Sequence, residues 1–149
     1  QQAQRMQALV SDLLTLAGGG SRHPASESTL HEGKHYIQMD GKEVFRHAVV
    51  RMPESVRAVL GKTGHTPADL RLLIAHQANL RIAEVMQRSL ELRDDQVYNN
   101  IMWYGNTTAA TIPIALDECV RAGRLARGDL IALTAFGSGF LWGSAAVRW

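Results

Sequence analysis

Two short polar motifs each follow an apolar, strand-like run and open a helix-like run, and this arrangement constrains the fold more than any other feature. HQAN (76–79) comes after the apolar run 70–75, and GNTTAAT (105–111) comes after the run 96–101. Open α/β sheets place their chemistry beyond the carboxyl ends of the strands. The sequence therefore predicts an α/β fold in which His76 and Asn106, two neutral hydrogen-bond donors, lie at neighbouring strand ends.

The rest of the chain alternates helical and strand-like patterns, which favours a mixed sheet packed between helical layers. Pro53 should kink or divide the first long helix, and Gly123 should end the last one. The segment 1–16 is mildly amphipathic, and its pattern fits a helix or a strand equally well. We expect helices at 42–60, 79–90 and 107–122, strands at 35–39, 70–75, 96–101, 130–136 and 140–148, a helical turn opened by Thr66-Pro67, and a loop at 18–28.

The predicted helix 107–122 carries apolar residues nearly all the way round, which is typical of a helix buried on all sides. A chain of 149 residues has hardly enough sheet to cover such a helix. We therefore expect a second set of layers, from another domain or subunit, to pack here. Without it, an apolar face should be exposed around Ala109, Ile112, Ala115 and Leu116.

Composition narrows the class of protein. The length suits one domain, and no apolar run approaches the roughly 20 residues that a membrane span needs. No signal-peptide pattern opens the chain, and the single cysteine, Cys119, fits a reducing, cytoplasmic compartment. We expect no metal and no cofactor. Because residue 1 is Gln, we expect a processed or engineered product or a piece of a longer protein.

Positive charge is concentrated between residues 41 and 93, a segment that contains nine Lys or Arg residues and only five Asp or Glu residues. Nucleic acid is disfavoured as a partner, because no aromatic residues interleave with the basic ones as stacking would require. An acidic protein or a phosphate-bearing ligand suits a local basic face better. A solvated surface with scattered arginines is the simpler alternative.

Four segments together resemble one family, β-ketoacyl-acyl-carrier-protein synthase III of the thiolase superfamily. They are LLIAHQANLRI, YGNTTAATIPIALDE, AFGSGFLWGSAAVR and MDGKEVFRHAV. The resemblance runs from about Leu13 to Trp149, and residues 1–12 match poorly. It identifies 13–149 as a C-terminal domain. It implies half of a thiolase-like, five-layer αβαβα fold that is built from two similar halves.

The resemblance also implies a catalytic triad of Cys, His and Asn, whose His and Asn correspond to His76 and Asn106. The nucleophilic Cys belongs to an N-terminal half that this chain lacks. Cys119 lies in the middle of a helix after Asp117-Glu118, so we interpret it as a small buried hydrophobe. Because the nucleophile is missing, we expect the chain alone to be inactive. We also expect the complete enzyme to be a homodimer.

Further roles follow from the resemblance. The loop with Gly137 and Ser138 would supply a backbone N–H to an oxyanion hole, and Phe136 would lie beside the His/Asn pair. A plain glycine-rich turn is the alternative for this loop. The lining of a pantetheine tunnel would include Gly41, Ala78 and Asn79. Separately from the resemblance, the seven-residue spacing of Arg81 and Arg88 puts them on one side of a helix. The family also tends to carry a basic residue at the position of Arg46. We hypothesise that these three arginines form a docking surface for an acidic acyl carrier protein; three solvated arginines are the alternative.

The chemistry that the family performs suits these residue types. Decarboxylation of a malonyl thioester puts negative charge on its thioester oxygen, and two preorganised donors can stabilise that charge. His76 can donate while neutral, and Asn106 never titrates; its place at a helix start would add the helix's positive end. Taken singly, His76 could be a core histidine and Asn106 a plain N-cap.

Two classes of function remain open at this stage. One is an acyltransferase that condenses an acyl-CoA primer with carrier-bound malonate in fatty-acid or polyketide initiation, or a related acyltransferase of secondary metabolism. The other is a non-catalytic fragment that serves as an interaction or docking module.

Overall fold

The computed structural model describes residues 14–16 and 24–149, so the predicted terminal segment 1–12 lies outside the described residues. Contacts divide the chain into two units. Among the described residues, the smaller contains 14–16, 24–47 and 137–141, and the larger contains 48–136 and 142–149.

The smaller unit is built on a two-stranded antiparallel sheet. Strand β1 (Leu14–Leu16) pairs with β2 (Ile37–Met39), which confirms the strand expected at 35–39. Helix α1 (Glu27–His31) lies between the two strands in sequence and begins with a capping box at Ser26. The loop predicted at 18–28 therefore ends before residue 27. The carboxylate of Asp40 accepts from the first backbone N–H groups of the next helix.

The larger unit holds a four-stranded sheet in the order β4-β3-β5-β6. Its strands are β3 (Leu72–Ala75), β4 (Val97–Tyr98), β5 (Leu130–Gly137) and β6 (Leu141–Arg148). Strand β3 pairs in parallel with both β4 and β5. All four residues of β3 are buried, which is typical of a parallel strand with both faces covered.

Four more helices accompany the sheet. They are α2 (Gly41–Lys62), α3 (Leu80–Ser89), α4 (Ile101–Tyr104) and α5 (Thr111–Arg121). Helix α5 packs on one face of the sheet, where Ala115 and Cys119 join Leu72, Ile74 and Ile131 in one core cluster. The 3₁₀ turn Pro67–Asp69 has Thr66 as N-cap and Pro67 at its first position, as expected.

Three secondary-structure predictions were wrong in part. Pro53 is buried within α2, and the helix continues through it rather than dividing. The strand expected at 96–101 covers only Val97–Tyr98, because the buried polar residue Asn100 precedes the short helix α4. The helix expected at 107–122 begins as a 3₁₀ turn, Thr108–Ala110, and is α-helical only from Thr111.

The surface of this helix within the single chain agrees with the prediction only in part. Only Thr111, Ala115 and Cys119 are buried along α5, while Val120 is exposed, so the helix is not covered on all sides. Ala115 is fully buried against the sheet and does not belong to an exposed apolar face, although Ala109 is exposed. Ile112 and Leu116 are half-buried against the same core cluster, so Ala109 alone of the four residues expected at an apolar face is exposed. Burial of the whole helix against a second set of layers stays a prediction. Within residues 14–16 and 24–149, no helix is long and apolar enough to cross a membrane.

Candidate active site

His76 lies immediately after β3, at the carboxyl end of the strand. Its backbone N–H donates to the carbonyl of Thr134 on β5 over 2.8 Å, so the parallel pairing continues to this residue. The four residues before it are buried between the covered faces of the sheet. The position of the His76 backbone is therefore fixed by the sheet.

The imidazole ring of His76 contacts the first residue of α5. Its Nδ1 lies 2.6 Å from the hydroxyl oxygen of Thr111, which is buried. Burial lowers the pKa of His76 below its usual value, so the ring is neutral at pH 7. A neutral imidazole has one donor nitrogen and one acceptor nitrogen. His76 can therefore donate one hydrogen bond without carrying charge.

Asn106 is held by the backbone of the 3₁₀ turn that precedes α5. Its side-chain Oδ1 accepts from the N–H of Thr108 over 2.8 Å. Because the oxygen is used in this way, the NH₂ group is what the exposed Asn106 can offer a ligand. Since α5 starts only at Thr111, Asn106 does not directly precede an α-helix, contrary to the expectation.

Thr108 connects the two donors. Its N–H binds Asn106, and its carbonyl oxygen lies 3.0 Å from the hydroxyl of Thr111, which in turn contacts His76. Thr108 has a φ of 53°, a left-handed conformation that is rare for a β-branched residue. Such strain costs about 1–3 kcal/mol and is often found at functional sites. One strained turn thus holds the partners of both His76 and Asn106.

Gln77 ties the carboxyl ends of β3 and β4 together. Its side chain is buried and donates to the carbonyls of Ala75 (2.9 Å) and Tyr98 (3.3 Å). Its Oε1 accepts from the backbone N–H groups of Asn100 (3.0 Å) and Ile101 (3.2 Å). Gln77 therefore fixes the start of α4, the segment that leads to Asn106.

Glu118 on α5 holds the same segment from the other end. Its carboxylate accepts from the Tyr98 hydroxyl (3.0 Å), the Asn100 amide (2.6 Å) and the Tyr104 hydroxyl (2.6 Å). The hydrogen bond from Tyr104, followed by that from Asn100, lowers the pKa of Glu118. Burial, and after it the bond to Glu118, raises the pKa of Tyr98 to about 12. The carboxylate is therefore charged and the two tyrosines keep their protons.

The other residues predicted near His76 have visible structural roles. Asn79 is the N-cap of α3, with its Oδ1 accepting from the N–H of Arg81 over 3.0 Å. Ala78 is exposed in the turn before it. Phe136 is buried near the end of β5, and its ring stacks on Trp142 at 6.3 Å between centroids. Lining of a pantetheine tunnel by Ala78 and Asn79 stays a prediction.

Several predicted site residues belong to the smaller unit. Gly41 opens α2, and Gly137 and Ser138 are exposed at the end of β5 and just after it. Arg46 also belongs there and forms an ion pair with Glu43 over 2.5 Å. Their roles in substrate or carrier binding stay predictions.

The remaining two predicted docking residues, Arg81 and Arg88, are exposed on α3 in the larger unit. With Arg46 in the smaller unit, a docking surface shared by all three arginines stays a prediction.

Cys119 lies fully buried in the core cluster between α5 and the sheet. Burial raises the pKa of its thiol to about 11, so the thiolate that a nucleophile requires does not form at neutral pH. This confirms the interpretation of Cys119 as a core residue. Among the described residues, no three His, Cys, Asp or Glu side chains are grouped to hold a metal ion.

Sequence reasoning assigned no role to Thr111, Gln77 or Glu118. Thr111 and Gln77 lie inside the two quoted motifs, and each is a polar residue that turns out to be buried. The sequence did contain a signal for both residues. Thr111 is a polar residue at the start of an apolar helix, and Gln77 is a polar residue next to a buried strand. Glu118 gave no such signal, because three partners bind it only in the folded chain.

Comparison with known proteins points to one family. A sequence profile described as "3-Oxoacyl-[acyl-carrier-protein (ACP)] synthase III C terminal" matches residues 60–149. A β-ketoacyl-[acyl-carrier-protein] synthase III from Roseiflexus sp. (strain RS-1) is 46% identical over 138 residues, which are 93% of this chain and 42% of that protein. The chain spans about two fifths of the length of the relatives it matches.

Solved structures show the same similarity. The 3-oxoacyl-(acyl carrier protein) synthase III of Pseudomonas aeruginosa PAO1 matches with a TM-score of 0.79 at 42% identity, over 93% of this chain and 41% of that one. The priming β-ketosynthase of the R1128 polyketide pathway matches with a TM-score of 0.74 at 30% identity, over 91% of this chain and 40% of that one.

These matches and the mixed sheet with its helices define an α/β protein of the thiolase-like class. Within that class, the chain belongs to the 3-oxoacyl-acyl-carrier-protein synthase III family and corresponds to its C-terminal part.

Proposed function

We propose that this chain supplies the His/Asn half of the active site of a β-ketoacyl-acyl-carrier-protein synthase III. In the complete synthase, a cysteine thiolate first attacks the carbonyl of an acyl-CoA primer, the thiolate of coenzyme A leaves, and the acyl group is held on the cysteine as a thioester. The C–C bond to the malonyl carboxylate then breaks, carbon dioxide leaves, and the electron pair forms an enolate. The enolate carbon attacks the acyl carbonyl, a new C–C bond forms, and the thiolate leaves.

His76 and Asn106 act on the thioester oxygen, where the negative charge of the enolate develops. The observation that carries this proposal is the connection from His76 to the Thr111 hydroxyl, from the Thr111 backbone N–H to the Thr108 carbonyl, and from the Thr108 N–H to Asn106. It supports a fixed arrangement of two neutral donors, which stabilises developing charge without reorganisation. We expect the donor atoms of the two side chains to lie within roughly 6 Å of each other, since each must reach one oxygen.

The decisive experiment separates the two half-reactions. In the complete synthase, His76→Ala should lower malonyl decarboxylation by about 10²–10³-fold, the usual loss for one such donor. Self-acylation of the cysteine should stay within a few-fold of the wild type, because it develops no charge at this oxygen. Radiolabelled carbon dioxide release and the mass of the acyl-enzyme measure the two steps. Equal losses in both steps would refute the assigned role.

The nucleophilic cysteine should come from a segment of the complete synthase outside these 149 residues. Cys119 is the only cysteine of the chain, and its buried thiol with a raised pKa cannot serve. We therefore expect the isolated chain to show no condensing activity in an assay with acyl-CoA and malonyl-carrier protein. Activity of a monodisperse 149-residue monomer would overturn this.

An acyl carrier protein is the partner that the names of the relatives suggest. The exposed arginines 81 and 88 support a basic surface that would attract an acidic carrier. Homodimerisation of the complete synthase and a cytoplasmic location are also part of the proposal. The 30% identity to a priming β-ketosynthase of polyketide synthesis supports secondary metabolism as the second candidate setting for the same reaction.

A further inference from the structure

The hydroxyl of Thr111 has one proton and two neighbours that could accept it. The carbonyl oxygen of Thr108 lies 3.0 Å away, and Nδ1 of His76 lies 2.6 Å away. If the proton goes to Thr108, Nδ1 must carry its own proton, and the Nε2 of the neutral ring is an acceptor. If the proton goes to Nδ1, the Nε2 of His76 carries the ring proton and is a donor.

Two observations favour donation to Nδ1. The Thr108 carbonyl already accepts the backbone N–H of Thr111, so it does not depend on the hydroxyl. The separation of 2.6 Å falls within the usual range for an O–H donor, about 2.5–3.0 Å, and below that for an N–H donor, about 2.7–3.2 Å. Thr111 is also only 2% exposed, so water does not compete strongly for the hydroxyl.

We infer that Thr111 is a positioning residue whose hydroxyl donates to Nδ1 of His76 and holds the ring in the Nε2–H form. This inference rests on the proposed function, because only that form can donate to the enolate oxygen while the ring is neutral. The turn formed by Thr108 also binds Asn106, so one segment sets the donor direction of both side chains.

The tautomer can be read directly from ¹⁵N NMR of the complete synthase labelled at histidine, at a pH where the His76 ring is neutral. The His76 signals are identified by their loss in His76→Ala. We expect a protonated Nε2 and an unprotonated Nδ1 in the wild type. Thr111→Val should give a mixture of the two tautomers, while Thr111→Ser should restore the wild-type pattern. A protonated Nδ1 in the wild type, or an unchanged pattern in Thr111→Val, would overturn the inference.

Kinetics keep this inference separate from the proposed function. Thr111→Val should lower malonyl decarboxylation about tenfold, the lower end of the losses seen when the partner that orients a metal-bound histidine is removed. Thr111→Ser should recover most of the rate, and self-acylation should change little in both variants. If NMR shows the Nε2–H form but His76→Ala leaves decarboxylation intact, the proposed function fails and the tautomer assignment stands. If His76→Ala abolishes decarboxylation but Thr111→Val and wild type match in rate and spectrum, only the inference about Thr111 fails.

Discussion

The two donors of the site are placed by different means. His76 follows a fully buried parallel strand, and its own backbone is paired with β5. Asn106 follows the four-residue helix α4, on which Trp103 is 78% exposed, and it depends on a strained turn. Apolar burial fixes the first donor, whereas hydrogen bonds donated to Gln77 and Glu118 fix the segment that carries the second.

This difference has consequences for stability. Apolar burial is insensitive to pH and is spread over many contacts. A hydrogen-bond network can lose about 1–3 kcal/mol for each buried group left without a partner, and a carboxylate in it titrates. We therefore expect the Asn106 side to be more sensitive than the His76 side to single polar substitutions and to acid.

The largest effect should come from Asn106→Asp in the complete synthase. The substitution keeps an oxygen that can accept from the N–H of Thr108 but replaces the NH₂ donor with a negative charge. Decarboxylation of malonyl-carrier protein should fall by more than the roughly 10²–10³-fold expected for loss of one donor, because the charge also repels the enolate.

Asn106→Ala is the matched control for this substitution, because it removes the donor without adding charge. It should retain more activity than Asn106→Asp. If the two variants were equally active, or if Asn106→Asp were the more active, the NH₂ group of Asn106 would not face the developing charge.

Gln77→Ala should lower the free energy of unfolding by about 2–4 kcal/mol. It leaves the buried N–H group of Asn100 and the half-buried N–H group of Ile101 without their acceptor. Gln87→Ala on α3 is the control, because Gln87 bonds mainly to the exposed carboxylate of Asp94, and it should cost under about 1 kcal/mol. Urea denaturation of the complete synthase measures both. Similar losses in the two variants would contradict the special role of Gln77.

Glu118 should make stability depend on pH. Because its pKa is lowered in the folded chain, its contribution is present above the ordinary value of 4.5 and is lost as the pH falls through the lower folded value. Glu118→Gln should therefore be less stable than the wild type at pH 7, and the difference should shrink below pH 4.5.

The matched control is Glu54→Gln, which removes an exposed ion pair with Arg51 on α2. Its urea midpoint should follow that of the wild type closely across the same pH series. A difference for Glu118→Gln that stays constant from pH 7 to the acid limb would show that Glu118 does not stabilise the fold as a carboxylate.

The smallest effect should come from the surface. Reversing Arg81 and Arg88 to Glu should slow the reaction of carrier-linked malonate several-fold at low salt, and the effect should fade as salt rises. A small malonyl thioester that needs no docking should react as in the wild type. The control reverses Arg121, an exposed residue on α5. Equal slowing of both substrates, or of neither, would leave the arginines as plain surface residues.

Most of the fold could be predicted because apolar periodicity sets it. The strands β3, β5 and β6 and the helices α2 and α3 were found within a few residues of their bounds. The predictions failed at 96–101 and 107–110, where polar contacts decide the backbone. Thr108 adopts a left-handed conformation while its N–H binds Asn106, and no propensity of threonine signals this.

The site was predictable only in part. His76 and Asn106 stand out because each follows a strand-like run in a recognisable motif. Thr111 contacts His76 across 35 residues of sequence, and Asn100 contacts Glu118 across 18, so their roles depend on the folded arrangement. Neither of these two contacts can be read from a single sequence.

A double-mutant cycle on decarboxylation tests most directly whether His76 and Asn106 both donate to the enolate oxygen. Rates of carbon dioxide release are compared for the wild-type synthase, His76→Ala, Asn106→Ala and the double variant. If both donors bind the same enolate oxygen, the double variant should lose clearly less than the product of the single losses, since residues that act as a unit are not additive. Losses that multiply fully, as for independent sites, would contradict a shared oxygen.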